Sequence, residues 1–235
     1  MIYITGDTHR EFGRIERFCR LMKTTTEDIM IILGDAGINY YEGPHDAAVK
    51  ESLSKLLITL FCIHGYHEKR TQTIPSYQLV PWHGGMVWQE DEYPNLLFAR
   101  DGDVYDLDGK KTIVIGGAYS VDKIYRILYN YGWFADEQPS DKIKAYVENQ
   151  LDGHNWQVDV VLSHTVPLKY EPTEVFLKGI DQRQVDKSTE EWLGHIEEKL
   201  QYQEWYAGHY HTEKKVDKLR LMFESIEQFT DEDDV

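Results

Sequence analysis

The chain of 235 residues has little cysteine: two, Cys19 and Cys62. Two make neither a disulfide framework nor a zinc knuckle. Cys19 falls in a helical pattern and Cys62 in a strand pattern, so both read as reduced packing residues. Long apolar runs are also absent. Stretches such as residues 29–33 and 58–63 are strand-sized, well short of the ~18 residues of a membrane span. Met1-Ile2-Tyr3-Ile4 runs straight into a strand pattern, so no secretory signal and a cytoplasmic location are expected. Positive charge is scarce too: 25 Lys and Arg against 41 Asp and Glu leave a net charge of −16. That balance speaks against general binding of nucleic acid or anionic membranes. An anionic substrate then needs a strong local positive field, which bound metal would supply.

The 41% hydrophobic and 13% aromatic content fills a sizeable core. Residues 2–5, 29–33 and 58–63 read as buried strands, and residues 12–22 and 46–57 between them as helices. Strand–helix alternation favours βαβ units and a parallel core. Short strands follow at 86–89, 96–99, 104–107 and 112–115, with Asp108-Gly109 as a hairpin turn. A helix is expected over 141–151 after Pro139-Ser140, and a strand over 158–162. Ser188 and Glu191 form a capping-box signature for a helix to about residue 200. A strand at 204–207 and a hairpin within 214–223 close the pattern. No repeat or linker divides the chain: one domain over 1–225 is expected, then an acidic, solvated tail over 226–235 that includes Asp231-Glu232-Asp233-Asp234.

Chemistry gathers where the strands stop. Asp7 and His9 follow the first, Asp35 the second, and Gly65-Tyr66-His67-Glu68 the third; His164 follows a later strand, and His209 and His211 another. Loops beyond the carboxyl ends of strands form the ligand crevice of an α/β sheet. Mixed carboxylate and imidazole donors suit Mn, Fe or Zn, and one aspartate bridging two such ions favours in-line displacement at phosphorus.

In that order, Gly6-Asp7-Thr8-His9, Gly34-Asp35, the Gly65–Glu68 turn, His164 and Gly208-His209-Tyr210-His211 resemble the motifs of calcineurin-like metallophosphoesterases. The resemblance implies an α/β four-layer sandwich, two mixed β-sheets flanked by helices. It implies two divalent metal ions, one held by Asp7, His9 and His211, the other by His164 and His209, with Asp35 between them. Metal-bound hydroxide would attack a small organic phosphomonoester or phosphodiester, while His67 protonates the leaving oxygen or stabilises charge at phosphorus.

Two positions depart from the pattern. Tyr66 stands where the family has a metal-ligating Asn. It either coordinates as a phenolate, turns away, or lines the pocket against substrate; turning away or lining the pocket is preferred. Arg10 stands where Gly is usual, either as a phosphate clamp or as a loop-tip residue facing solvent. Tyr40, Tyr41 and His45 lie near the second ligand and are candidate pocket residues, with core packing as the alternative for the tyrosines and a surface position preferred for His45; Trp82 and Trp88 read as core packing, with a pocket wall as their alternative. Glu68 reads as structural, and His64, His83, His154 and His195 have no motif role. A loss of the second metal at Tyr66 would instead leave a mononuclear binding or scaffold protein. The two altered positions also suit an engineered variant with changed ester specificity.

Overall fold

The structure, a computed structural model, describes residues 1–229; the acidic run 231–234 lies outside the described residues. Three strands, β1 (Ile2–Thr5), β2 (Ile29–Ile32) and β3 (Thr59–Cys62), pair in parallel with β6 (Leu96–Ala99). The hairpin β4 (Gln78–Trp82) and β5 (Gly85–Gln89) extends this sheet antiparallel beyond β6, and β13 (Ile226–Gln228) covers its other edge on β1. The second sheet has β8 (Lys110–Ile115), β9 (Val160–Ser163), β10 (Glu204–Ala207) and β12 (Leu219–Leu221) in parallel. β7 (Val104–Leu107) and β11 (Lys214–Val216) run antiparallel at its edges.

The alternation along β1 and β2 places the layers. Ile2, Ile4, Ile29 and Ile31 face Val114, Val160, Leu162 and Tyr206 of the other sheet. Tyr3, Met30 and Ile32 face outward onto Phe12, Ile15 and Leu53 of the flanking helical segments. On the far side, Ile113, Ile115 and Val161 meet Val147, Leu151, Leu193 and Ile196. Both faces of each central strand are therefore apolar, which is why those strands read as unbroken hydrophobic runs. The result is the expected four-layer sandwich of two mixed sheets between helices α1 (Gly13–Met22) and α2 (Pro44–Leu53) on one side and α4 (Asp141–Gly153) and α5 (Ser188–Glu197) on the other. Cys19 and Cys62 are buried and unpaired. Among the described residues, no helix is long and apolar enough to cross a membrane.

Several local expectations change. α2 starts at Pro44, where a fixed φ suits the first turn, and ends at Leu53, leaving Leu57 exposed. The capping box at α5 does not form: Lys187 is the N-cap, and Ser188 Oγ donates to Gln138 instead. Ser140 does cap α4, accepting from the Ile143 amide. The short helix α3 (Lys123–Leu128) is unexpected. The packed chain also continues past residue 225, since β13 pairs with β1 and Phe229 is buried between the sheets.

α5 carries Glu190 into the interior, where its carboxylate accepts from Thr165 Oγ1 at 2.8 Å. Burial, with Glu171 nearby, pushes its pKa from 4.5 up to about 7. Between these values the folded chain holds a proton that the unfolded chain has lost, so stability falls as pH rises through that window. Glu190→Gln keeps the acceptor and removes the charge. It should raise stability at pH 8 by about 1–3 kcal/mol, roughly 3–8 °C in melting temperature, and leave pH 4 nearly unchanged. Melting curves at the two pH values check this; an equal shift at both would rule out the buried charge as the cause.

Candidate metal centre

The loops that leave β1, β2, β3, β9 and β10 meet at one end of the sandwich. Their backbones are bent unusually: His9, Arg10, Asp35, His209 and His211 all have positive φ, between 45° and 70°. Non-glycine residues hold such angles only where surrounding contacts enforce them, often at functional sites. Here the enforcing bonds are visible. The His9 amide donates to Asp35 O, the Arg10 amide to Ala36 O, and the His209 amide to Asp7 Oδ1 at 2.9 Å. Beneath them Arg14 Nη2 donates to the carbonyls of Gly6, Asp7 and Phe223.

Each buried aspartate is half satisfied. Asp35 Oδ1 accepts from the amides of Tyr66 and His67 at 2.7 and 2.8 Å. Its Oδ2 has no hydrogen-bond partner, yet lies 3.6 Å from His67 Nδ1, 3.6 Å from His164 Nε2 and 4.0 Å from His9 Nε2. Asp7 Oδ2 is likewise unpartnered, 3.3 Å from His211 Nε2 and 3.6 Å from His9 Nε2. His164 Nδ1 donates to Leu33 O at 2.8 Å, which fixes the tautomer and turns the lone pair of Nε2 toward Asp35.

A buried carboxylate oxygen or imidazole nitrogen without a partner is costly. Four such atoms occur here: Asp7 Oδ2, Asp35 Oδ2, His164 Nε2 and His209 Nδ1. They fit divalent cations, and three overlapping donor sets have the spacing for it: Asp7–His9–His211, His9–Asp35–His67 and Asp7–Asp35–His164. The charges agree with the donor chemistry. Burial alone would raise the Asp7 pKa, but His211 and His9 hold it well below the usual carboxylate range. Burial of His9 is outweighed by Asp7 and Asp35, which raise it.

The expected ligands Asp7, His9, Asp35, His164 and His211 are thus brought together. His209 is close by, its ring 5.1 Å from that of His164, but belongs to none of the three donor sets. His67 is held between Asp35 and Arg126. Its Nε2 lies 2.5 Å from Arg126 Nη2, and a guanidinium only donates, so this nitrogen is an acceptor. Burial, with Arg126 contributing, lowers its pKa to about 3, and the neutral ring has no proton to give on that side.

Tyr66 has not turned away. It is buried, with ring centroids 4.0, 5.2 and 5.6 Å from His67, His209 and His164, and burial beside Asp35 keeps the phenol protonated. It borders a cavity of about 250 Å³ with Val121, Phe176, Ile180, Tyr210 and His211. Arg10 is tied into the neighbouring loop. It donates to Asp46 Oδ1, Gly37 O and His45 O, and so ties the 37–46 loop to the first ligand loop. Tyr41 and His45 lie exposed beside that tie and belong to none of the donor sets. Tyr40 is drawn in, its hydroxyl accepting from Arg126 Nη1 at 3.1 Å. Trp82 stacks on Phe61 and Trp88 packs on the helix-side core, so both tryptophans are packing residues. Glu68 is wholly buried, and burial pushes its carboxyl up to about 8.

Arg126 belongs to no motif legible in the sequence. The neighbouring Asp122 is the only sequence sign, a carboxylate one helical turn earlier that pairs with it.

A crystal structure of TT1561 from Thermus thermophilus is similar over 94% of this chain and 87% of that one, with 13% identity and a TM-score of 0.49. No curated protein matches. The family model of calcineurin-like phosphoesterases matches residues 1–223, a span that contains every donor described above. The chain belongs to the calcineurin-like phosphoesterase family.

Proposed function

We propose that the protein hydrolyses small organic phosphate esters with two divalent cations, Mn, Fe or Zn, at the junction of its ligand loops. The observation that carries this is the convergence of unpartnered Asp7 Oδ2, Asp35 Oδ2 and His164 Nε2 within overlapping donor sets. Asp7, His9 and His211 would hold one ion and Asp35 with His164 the other, His209 standing beside the second. Ions bound there supply Lewis acidity toward the phosphoryl oxygen and a nucleophilic water at neutral pH.

The chain's own residues do the rest. Asp35 fixes the Tyr66–His67 turn through two amides, and Arg14 props the Asp7 loop from below. The cavity bordered by Tyr66, Val121, Phe176 and Ile180 has room for an organic ester group. The net charge of −16 disfavours nucleic acids and anionic membranes as partners, so the substrate we propose is a small phosphate ester drawn in by the local field of the bound ions.

One observation favours a second reading. The Tyr66 ring packs against those of His164 and His209, and His209 joins no donor set, which suits a mononuclear, weakened protein that binds rather than turns over. Metal content after reconstitution with each ion, together with turnover of aryl phosphates, separates the two. About two ions per chain and sustained turnover are expected. Inactivity with every metal would sink the hydrolase reading, and one ion with faint turnover that Tyr66→Asn restores would establish the second.

A further inference from the structure

Among the arginines around the ligand loops, two are spent on structure. Arg10 is closed into an ion pair with Asp46 at 2.7 Å, and Arg14 places Nη2 on three carbonyls. Arg126 is held differently. Nε donates to both Asp122 oxygens at 2.8 and 2.9 Å, and Nη1 donates to Tyr40 Oη and Gly132 O, both at 3.1 Å. These bonds use the N–H of Nε and both of Nη1, so Nη2 alone is directed inward, one hydrogen on His67 Nε2 and one without an assigned acceptor. That places a fixed cation one imidazole ring away from Asp35 Oδ2, because His67 Nδ1 lies 3.6 Å from that oxygen.

We infer that Arg126 binds a phosphoryl oxygen of the substrate and tilts the site toward phosphomonoesters over phosphodiesters. The inference rests on the hydrolase reading and adds the substrate class. A purely structural arginine would be satisfied by Asp122, Tyr40 and Gly132. Here Nη2 meets a neutral imidazole, a weaker acceptor than an anionic phosphate oxygen, so exchanging one for the other is favourable. A guanidinium attracts a monoester dianion about twice as strongly as a diester monoanion at the same distance. In a chain with a net charge of −16, the dianion also meets the greater long-range repulsion, which makes a local cation matter more for it. Asp122 and Tyr40 act through Arg126 as positioning residues.

The test uses the Mn-loaded protein, Arg126→Met and Arg126→Lys. p-Nitrophenyl phosphate and bis(p-nitrophenyl) phosphate share a leaving group and differ in phosphoryl charge. Arg126→Met should lose at least about tenfold more kcat/KM on the monoester than on the diester, and Arg126→Lys should lie between it and the parent. The Kd of inorganic phosphate, measured by calorimetry, should rise at least about tenfold in Arg126→Met while metal content per chain stays unchanged. Equal losses on both esters, or an unaltered phosphate Kd, would overturn the assignment. Should the parent turn over neither ester, the hydrolase reading fails, and the phosphate titration still decides for or against Arg126. Should Arg126→Met not fold, the monoester-to-diester ratio and phosphate Kd of Arg126→Lys carry the decision, unchanged values counting against.

Discussion

Asp35→Asn is expected to cut aryl phosphate turnover by at least about a thousandfold and to lower metal content by about one ion per chain. The substitution nearly preserves shape, so its effect isolates the charge and the donor. The amide oxygen of asparagine still accepts from the Tyr66 and His67 amides, which keeps the third ligand loop in place. What changes is the second oxygen. Asp35 Oδ2 faces His9, His67 and His164 within 4.0 Å, and an NH₂ group there offers donors where a cation needs lone pairs. The metal-free variant should melt within a few degrees of the parent, because the hydrogen bonds of Oδ1 survive and Oδ2 had none to lose. Elemental analysis, an initial-rate assay and a melting curve on one preparation read all three. Full metal occupancy with parental turnover would exclude Asp35 from the centre.

The ligands are legible because each stands directly after an apolar strand run. Ile2–Thr5 ends before Asp7, Ile29–Ile32 before Asp35, and Val160–Ser163 before His164, so periodicity and motif point to the same end of the sheets. What stays hidden in the sequence breaks a local rule. β4 contains Pro81 and is mostly exposed; it is tolerated because β4 is the edge strand of its sheet. α3 shows no inward apolar stripe, since Ile124, Ile127 and Leu128 face solvent and the residue turned inward is Arg126. Hydrophobic patterning therefore has nothing to detect there, and Arg126 meets His67 across 59 positions of chain. The place of Arg10 is hidden for a related reason. Adjacency to His9 in sequence suggests the centre, but a left-handed φ of 70° at Arg10 carries its side chain to Asp46. The domain runs past the expected start of the tail because three residues, Ile226–Gln228, are too short a run to read as a strand without their partner β1.

Gly34→Ala should be among the most damaging single-methyl changes near the centre. Gly34 has φ of +96°, a region where a Cβ is strained, and that Cβ would stand 2.1 Å from His164 Nδ1. The imidazole has no easy retreat: it is fully buried, and Nδ1 is bonded to Leu33 O, the carbonyl just before the glycine. Either the ring swings off that carbonyl or the Gly34-Asp35 turn shifts, and both routes move a donor. Strain and overpacking together amount to about 3 kcal/mol, or roughly 6–12 °C in melting temperature. Metal affinity should fall about 10–100-fold, since the bond to Leu33 O is what aims Nε2. Gly194→Ala is the matched control. It sits within α5 with nothing inside 4 Å of an added Cβ, so alanine there should stabilise by about 0.5–1 kcal/mol. If the methyl acts through His164, melting temperatures of the two variants shift in opposite directions, and Mn²⁺ affinity falls in Gly34→Ala alone. A Gly34→Ala protein with parental stability and affinity would mean that His164 has room to move, and that its bond to Leu33 O does not hold the centre in shape.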